Sequence, residues 1–498
     1  MIPRRSAVAL LWLLACVACS PAPEPSRPNI LWIVWDTVRA DRLGLYGHSA
    51  PTTPNLERWA RKARVFDATS TSCWTIPAHA SMFTGLYPSE HGMHRLRSVL
   101  APELPTVASL VRDAGYETYL FSANPHLSAR TGLANGFDVV ESPHESGLTE
   151  RAQQIVLSKL HPDDRSSTLR GRLEGGRVAG LRWQVKAVGE LAGERFLHFL
   201  DSRDAERPFF AFLNYMEAHR VRIPPDPFRR EVMTDEQVER SYTLFQGQLR
   251  MFEMSLGTHP QPAPEDVRVL GGVYDATIAE LDVLLDALLS QLDERGLLDE
   301  TVVVLTSDHG EHLGERGSWL HQYSLYEGVV RVPLVVWAPG RLEPGREDTP
   351  VTTLDLFPTL LELAGVDPPP DTRGVSLMRP KRDRLIVAEY PVAYPGILSK
   401  VGERHPEWDP TPYRKTLTTA RVGSHKLVLD STGGAALYDL SRDPDETVDL
   451  HGERPELAAT LERRLQGWLR GLGDAAAAAE GAELSEEEKE QLRALGYL

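Results

Sequence analysis

The chain carries two apolar runs of strand length in which hydrophobic residues follow one another without alternation. They are Asn29-Ile30-Leu31-Trp32-Ile33-Val34-Trp35 and Thr301-Val302-Val303-Val304-Leu305-Thr306. Unbroken runs of this kind suit strands buried on both faces of a parallel sheet. Each is followed at once by an acid, in Asp36-Thr37 and in Ser307-Asp308-His309-Gly310. Further strands are predicted over 117–122, 208–213 (ending at Asn214) and 332–337. Helical spacing of apolar positions predicts helices over 53–62, 104–114, 267–292 and 355–363, the third carrying Leu281, Val283, Leu284, Leu285, Leu288 and Leu289. Alternating strands and helices imply an α/β fold, a large, mixed, mostly parallel sheet flanked by helices. A polar, helix-rich stretch at 143–266 is expected as an insertion over that sheet. Past residue 369 the pattern shifts to short strands at 385–388, 416–421, 425–429 and 436–440. These predict a smaller C-terminal α+β subdomain over 371–472, following a main domain over 29–370. Residues 473–498 read as an Ala-rich linker and a charged terminal helix.

The first residues change the picture of where the chain works. Arg4 and Arg5 precede a short apolar run at 7–15, too short for a permanent membrane span. Cys16 and Cys19 each follow alanine, and Leu13-Leu14-Ala15-Cys16 resembles a bacterial lipobox. Residues 1–19 are therefore expected to be a signal peptide of lipoprotein type and 20–28 a tether. This implies an exported protein of the periplasm or cell envelope that meets the membrane only through a lipid anchor. Cys73 is the one cysteine left in the body, so disulfides are not expected to hold the fold. A net charge of −16 argues against nucleic acid as a partner. An anionic substrate remains compatible, because a bound cation reverses the field inside a pocket.

Candidate chemistry concentrates in Trp74-Thr75-Ile76-Pro77-Ala78-His79. Proline in a first helical turn gives up only an amide that would lack a partner, so a helix starts near Thr75. His79 lies one turn further along the same face. A threonine N-cap with a histidine nearby is the plain reading of these residues. The acids at the strand ends offer another. Asp36, Asp308 and His309 form a ligand set for one divalent ion, and Thr75 as fourth ligand makes a metal–alkoxide centre. Hard oxygens with one imidazole admit Ca, Mg, Mn or Zn.

On these motifs the chain resembles the sulfatase branch of the alkaline phosphatase superfamily. The resemblance runs through Asn29 to Asp36, Thr75 to Gly85, Asp308-His309-Gly310-Glu311, Tyr326-Glu327 through Arg331-Val332-Pro333, and Leu437-Tyr438-Asp439-Leu440 with Asp443-Pro444. Sulfatases carry a Cys or Ser that becomes formylglycine, two residues before the proline and four before an arginine. Here Thr75 and His79 occupy those places, so formylglycine is not expected. Asp36-Thr37 stands where sulfatases have an acidic pair, and Asp308-His309 where Asp-Asn is frequent. Threonine with two aspartates and a histidine resembles the phosphoester-cleaving and phosphotransferase members. His219 resembles the family's substrate-contacting histidine, and His321 lies where relatives place a His or Lys on the ester oxygens. The resemblance implies a metal-dependent hydrolase of sulfate or phosphate esters with Thr75 as nucleophile. His79, His219 and His321 would bind non-bridging oxygens or protonate the leaving group. A phosphotransferase acting on an envelope lipid or glycan and a non-catalytic envelope binding protein are the alternatives.

Overall fold

The computed structural model describes residues 27–472 apart from 95–97, 146, 163–185, 245–246 and 392–394, together with the backbone of 479–480. The expected signal with Cys16 and Cys19, most of the tether and nearly all of the terminal segment lie outside the described residues.

The main sheet is built from β1 (Asn29–Trp35), β2 (Arg64–Thr69), β3 (Glu117–Ser122), β4 (Val139–Glu141), β5 (Phe209–Tyr215), β6 (Thr301–Thr306), β7 (Arg331–Trp337) and β8 (Gly345–Thr352). Its order is β8-β2-β7-β6-β1-β5-β3-β4. β1 pairs in parallel with β5 and β6, and β3 pairs in parallel with β5 and β4. β7 runs antiparallel to both β6 and β2, and β8 is parallel to β2, so β7 is the one reversed strand of this sheet. A second, antiparallel sheet follows, with β9 (Ile386–Tyr390), β10 (Leu417–Val422), β11 (His425–Asp430) and β12 (Ala435–Asp439) in sequential order. The architecture is the α/β main body with a smaller C-terminal sheet that the pattern implied.

Helices cover both faces, which is why the central strands read as continuous apolar runs. Leu31, Ile33 and Trp35 of β1 enter one core, and Ile30, Trp32 and Val34 enter the other. The labelled helices are α1 (Thr75–Thr84), α2 (Gly189–Ser202), α3 (Pro264–Glu294), α4 (Leu356–Ala364) and α5 (Pro455–Arg470). α1 and α4 pack on the second face. There Phe83 meets Trp32 and Phe212 edge-on, at ring separations of 5.5 Å and 5.0 Å. α2 and α3 pack on the first face through Leu191, Phe196, Tyr274, Ile278, Leu281 and Leu285. α5 covers the small sheet with Ala458, Leu461 and Leu465. Residues 143–266 supply helices, α2 among them, and also β5, which lies beside β1. No described helix is long and apolar enough to cross a membrane.

The topology has one consequence for chemistry. β6, β1, β5 and β3 are adjacent and parallel, so their carboxyl ends meet along a single edge. Open α/β sheets bind ligands outside that edge.

Candidate active site

Asp36 follows β1 directly, and Asp308 and His309 lie just beyond β6; all three side chains are inaccessible to solvent. Asp36 Oδ2 accepts hydrogen bonds from Nδ2 of Asn124, just past β3, at 3.1 Å and from Nδ2 of Asn214, in β5, at 3.4 Å. Asp308 Oδ1 accepts from the backbone N–H of Thr37 at 3.1 Å and of His309 at 2.9 Å. Thr37 reaches it from a left-handed backbone (φ 63°), and its hydroxyl donates to Asp36 O at 2.7 Å. Where sulfatases have a second acid, this chain therefore has a hydroxyl turned to the backbone. His309 Nδ1 donates to Gly310 O at 2.9 Å, which leaves the lone pair on Nε2.

Asp36 Oδ1, Asp308 Oδ2 and His309 Nε2 are buried and have no hydrogen-bond partner among the described residues. The three side chains bring ligand atoms within 4.8 Å of one another. Buried acceptors turned toward one another without a donor cost several kcal/mol unless a cation joins them. Burial, and then the charge of Asp308, push the Asp36 carboxyl well above its usual range, and burial raises Asp308 too. Burial holds His309 far below the usual imidazole value, hence neutral. Two carboxylates that resist ionising alone and one neutral imidazole fit a divalent ion.

Thr75 opens α1 and is fully buried, after an extended Trp74 (φ −156°, ψ 161°). The loop from β2 to α1 is pinned at both sides. The Ser70 hydroxyl donates to Asp308 O, and the Ser72 hydroxyl donates to Glu389 O of β9 at 2.7 Å. His79 Nδ1 donates to Thr75 O at 3.0 Å and lies 3.5 Å from Asp308 Oδ2. Its ring stands 6.0 Å from those of Phe83 and Phe212, and burial lowers its pKa. His321 Nδ1 donates to Glu311 Oε1 at 2.9 Å, and its ring is 4.4 Å from that of His309. Burial works against ionising Glu311, yet Arg222 and His321 hold its pKa down at about 2. His79, His309 and His321 thus share one arrangement: Nδ1 gives its hydrogen to a carbonyl or carboxylate. Nε2 is left without a partner among the described residues. Anchoring one ring nitrogen in this way orients the other.

His219 lies past the end of β5, with its ring 6.0 Å from that of His321. Its Nδ1 is 2.7 Å from Lys186 Nζ and 2.9 Å from Arg220 O. The structure therefore gathers Asp36, Asp308, His309, Thr75, His79, His219 and His321 at one edge, with Asn124, Lys186, Glu311 and Arg222 behind them. Asn124 carries the signal that marks Asp36, a polar residue just past a buried strand. Glu311 belongs to the Asp308-His309-Gly310-Glu311 run, and nothing in the sequence around Lys186 or Arg222 points to the site. Cys73 is buried in the core as a small apolar side chain. A second acidic group, Glu190, Glu217 and Glu280, already has its cation. Lys159 Nζ stands 2.9, 3.5 and 2.5 Å from the three carboxylates.

The sulfatase family model matches residues 28–366. Choline-sulfatase of Rhizobium meliloti (strain 1021) is 28% identical over 498 residues, covering 90% of this chain and 88% of the relative. Arylsulfatase K of Xenopus laevis is 24% identical over 482 residues, covering 90% of this chain and 84% of the relative. The phosphonate monoester hydrolase of Agrobacterium radiobacter superposes with a TM-score of 0.69 at 23% identity, over 93% of this chain and 99% of that one. With the family match spanning the strands that carry Asp36, Asp308 and His309, the chain belongs to the sulfatase family of ester hydrolases.

Proposed function

We propose that this protein hydrolyses sulfate or phosphate esters, with the hydroxyl of Thr75 as the attacking group and a divalent ion held by Asp36, Asp308, His309 and Thr75. The observation that carries this reading is the convergence of Asp36 Oδ1, Asp308 Oδ2 and His309 Nε2, buried and without hydrogen-bond donors among the described residues. A divalent ion there supplies positive charge, of the kind that lowers the pKa of bound water from about 15.7 to about 7 and acts similarly on an alcohol.

The remaining work falls to the chain's own residues. The first turn of α1 holds Thr75 against the loop fixed by Ser70 and Ser72, and its helix N-terminus favours negative charge. Having given up its hydroxyl proton, Thr75 attacks the phosphorus or sulfur as the alkoxide, the bond to the leaving oxygen breaks, and Thr75 becomes esterified. Water then attacks the same centre and releases Thr75. His79, His219 and His321 serve the non-bridging oxygens and the leaving oxygen, as donors or by proton transfer. Burial excludes bulk water from Thr75 and strengthens each of these interactions.

A matched panel of aryl phosphate, phosphodiester, phosphonate and aryl sulfate, assayed with Mg, Mn, Ca and Zn in turn, tests the reading. Metal-dependent turnover of at least one ester is expected in the wild type, and its loss in Thr75→Ala with the fold intact. Turnover at the wild-type rate in Thr75→Ala refutes the nucleophile.

A further inference from the structure

We propose that Lys186 is the proton source behind His219, giving a proton to Nδ1 of that ring while Nε2–H passes to the departing oxygen of the ester. The inference rests on the reading of the site as an ester hydrolase and adds to it a residue that acts through another.

Lys186 lies just before α2 and is 5% exposed. Its Nζ is 2.7 Å from His219 Nδ1 and 2.9 Å from His219 O, and it also contacts Arg220 O. An ammonium has three N–H donors and no lone pair. Here three acceptors surround it. His219 then differs from the other imidazoles of the site. Nδ1 of His79, His309 and His321 faces a carbonyl or carboxylate and must carry the hydrogen. Nδ1 of His219 faces the ammonium, and two hydrogens do not fit in the 2.7 Å between Nζ and Nδ1. Nδ1 therefore accepts, Arg220 O is served by Lys186, and the ring hydrogen of His219 sits on Nε2.

The step balances. As the bond from phosphorus or sulfur to the leaving oxygen breaks, its electron pair stays on that oxygen, which takes the Nε2 proton. Nδ1 takes a proton from the Lys186 ammonium, which becomes an amine. The ring is neutral before and after, with its tautomer reversed. Hydrolysis of the Thr75 ester runs the relay backward. The attacking water gives a proton to Nε2, and Nδ1–H returns to Lys186. A neutral ring suits this role, because burial, Lys186 and His321 disfavour the imidazolium form of His219.

The charges around Lys186 fit a group that must both give and take a proton. Burial and the like charges of Arg220 and Arg222 weaken its hold on the proton well below that of a free lysine, while Asp36 and Glu311 oppose them. Lys159, buried to a similar degree, is instead surrounded by Glu280, Glu217 and Glu190 and kept firmly charged. One of these buried lysines is locked by carboxylates; the other is poised against an imidazole.

Lys186→Met and His219→Ala, alone and together, are compared with the wild type on phenyl phosphate and 4-nitrophenyl phosphate in the metal-loaded full chain. Proton donation matters most for the poorer leaving group, so Lys186→Met should lose at least about tenfold more kcat on phenyl phosphate than on 4-nitrophenyl phosphate. The double variant should be no slower than His219→Ala, as expected of residues acting as a unit. Lys186→Gln, which still donates to the two carbonyls, should show the same leaving-group dependence if Lys186→Met folds poorly. In protein labelled with 15N-histidine, the ring shifts should place the His219 hydrogen on Nε2 in the wild type and on Nδ1 in Lys186→Met. Equal losses on the two substrates, or an Nδ1 hydrogen on wild-type His219, overturn the inference. Wild-type protein that hydrolyses no ester of the panel would instead overturn the reaction, and the tautomer measurement would still decide Lys186.

Discussion

Replacing Asp67 with Asn perturbs the joint between the two sheets. Asp67, in β2, takes Arg331 Nε of the neighbouring β7 at 2.8 Å and Arg421 Nη2 of β10 at 2.5 Å. Burial raises the carboxyl, but Arg421 and Arg331 outweigh it and bring its pKa from 3.8 down to about 2. At about 1.36 kcal/mol per pH unit, that difference corresponds to roughly 2 kcal/mol of stability from the ionised form. The folded pKa is depressed, so the contribution is fully present above pH 3.8 and is lost as the pH falls through about 2. A cleft of about 450 Å³ lined by Asp67, Glu327, Arg331 and Arg421 lies against these contacts. Asn approximates the neutral carboxyl. Asp67→Asn should therefore be roughly 2 kcal/mol less stable than the wild type in urea unfolding at pH 7, and the gap should close between pH 4 and pH 2. Comparing variant with wild type at each pH removes the titration of other carboxyls. A gap that is absent at pH 7, or undiminished at pH 2, would refute the assignment of this stability to the two arginine contacts.

Other outcomes follow from the site. Asp36 and Asp308 are both raised before a cation binds, so metal uptake must displace protons and weaken as the pH falls; calorimetry in buffers of different ionisation enthalpy reads the proton release directly. Glu311→Gln removes the charged partner that anchors His321 Nδ1 and should lower kcat about 10- to 100-fold with the fold retained, measured as kcat against circular dichroism.

The central strands were legible because helices on both faces left no reason for alternation, as the division of β1 between two cores shows. The same physics made Asp36 and Asp308 visible, since acids directly after such strands fall at the carboxyl edge. β2 and β8 were not foreseen. Arg64-Val65-Phe66-Asp67-Ala68-Thr69 and Gly345 to Thr352 place charged residues at the joint with the second sheet or near the sheet's margin, so neither reads as a buried run. The reversal of β7 is a matter of chain path, which local pattern does not encode. Asn124 was overlooked although its position repeats the signal of Asp36. Lys186 meets His219 across a separation of 33 residues, and no spacing rule reports such a contact.

In the proposed reaction Thr75 is the group that is esterified. Rapid acid quenching of the metal-loaded enzyme during turnover of an aryl phosphate, followed by peptide mass spectrometry, reads this directly. A peptide carrying one added phosphoryl group on Thr75, present during turnover and absent after substrate is exhausted, is the predicted result. Turnover with no phosphoryl group on Thr75 at any time, or with the group on another residue, would contradict it.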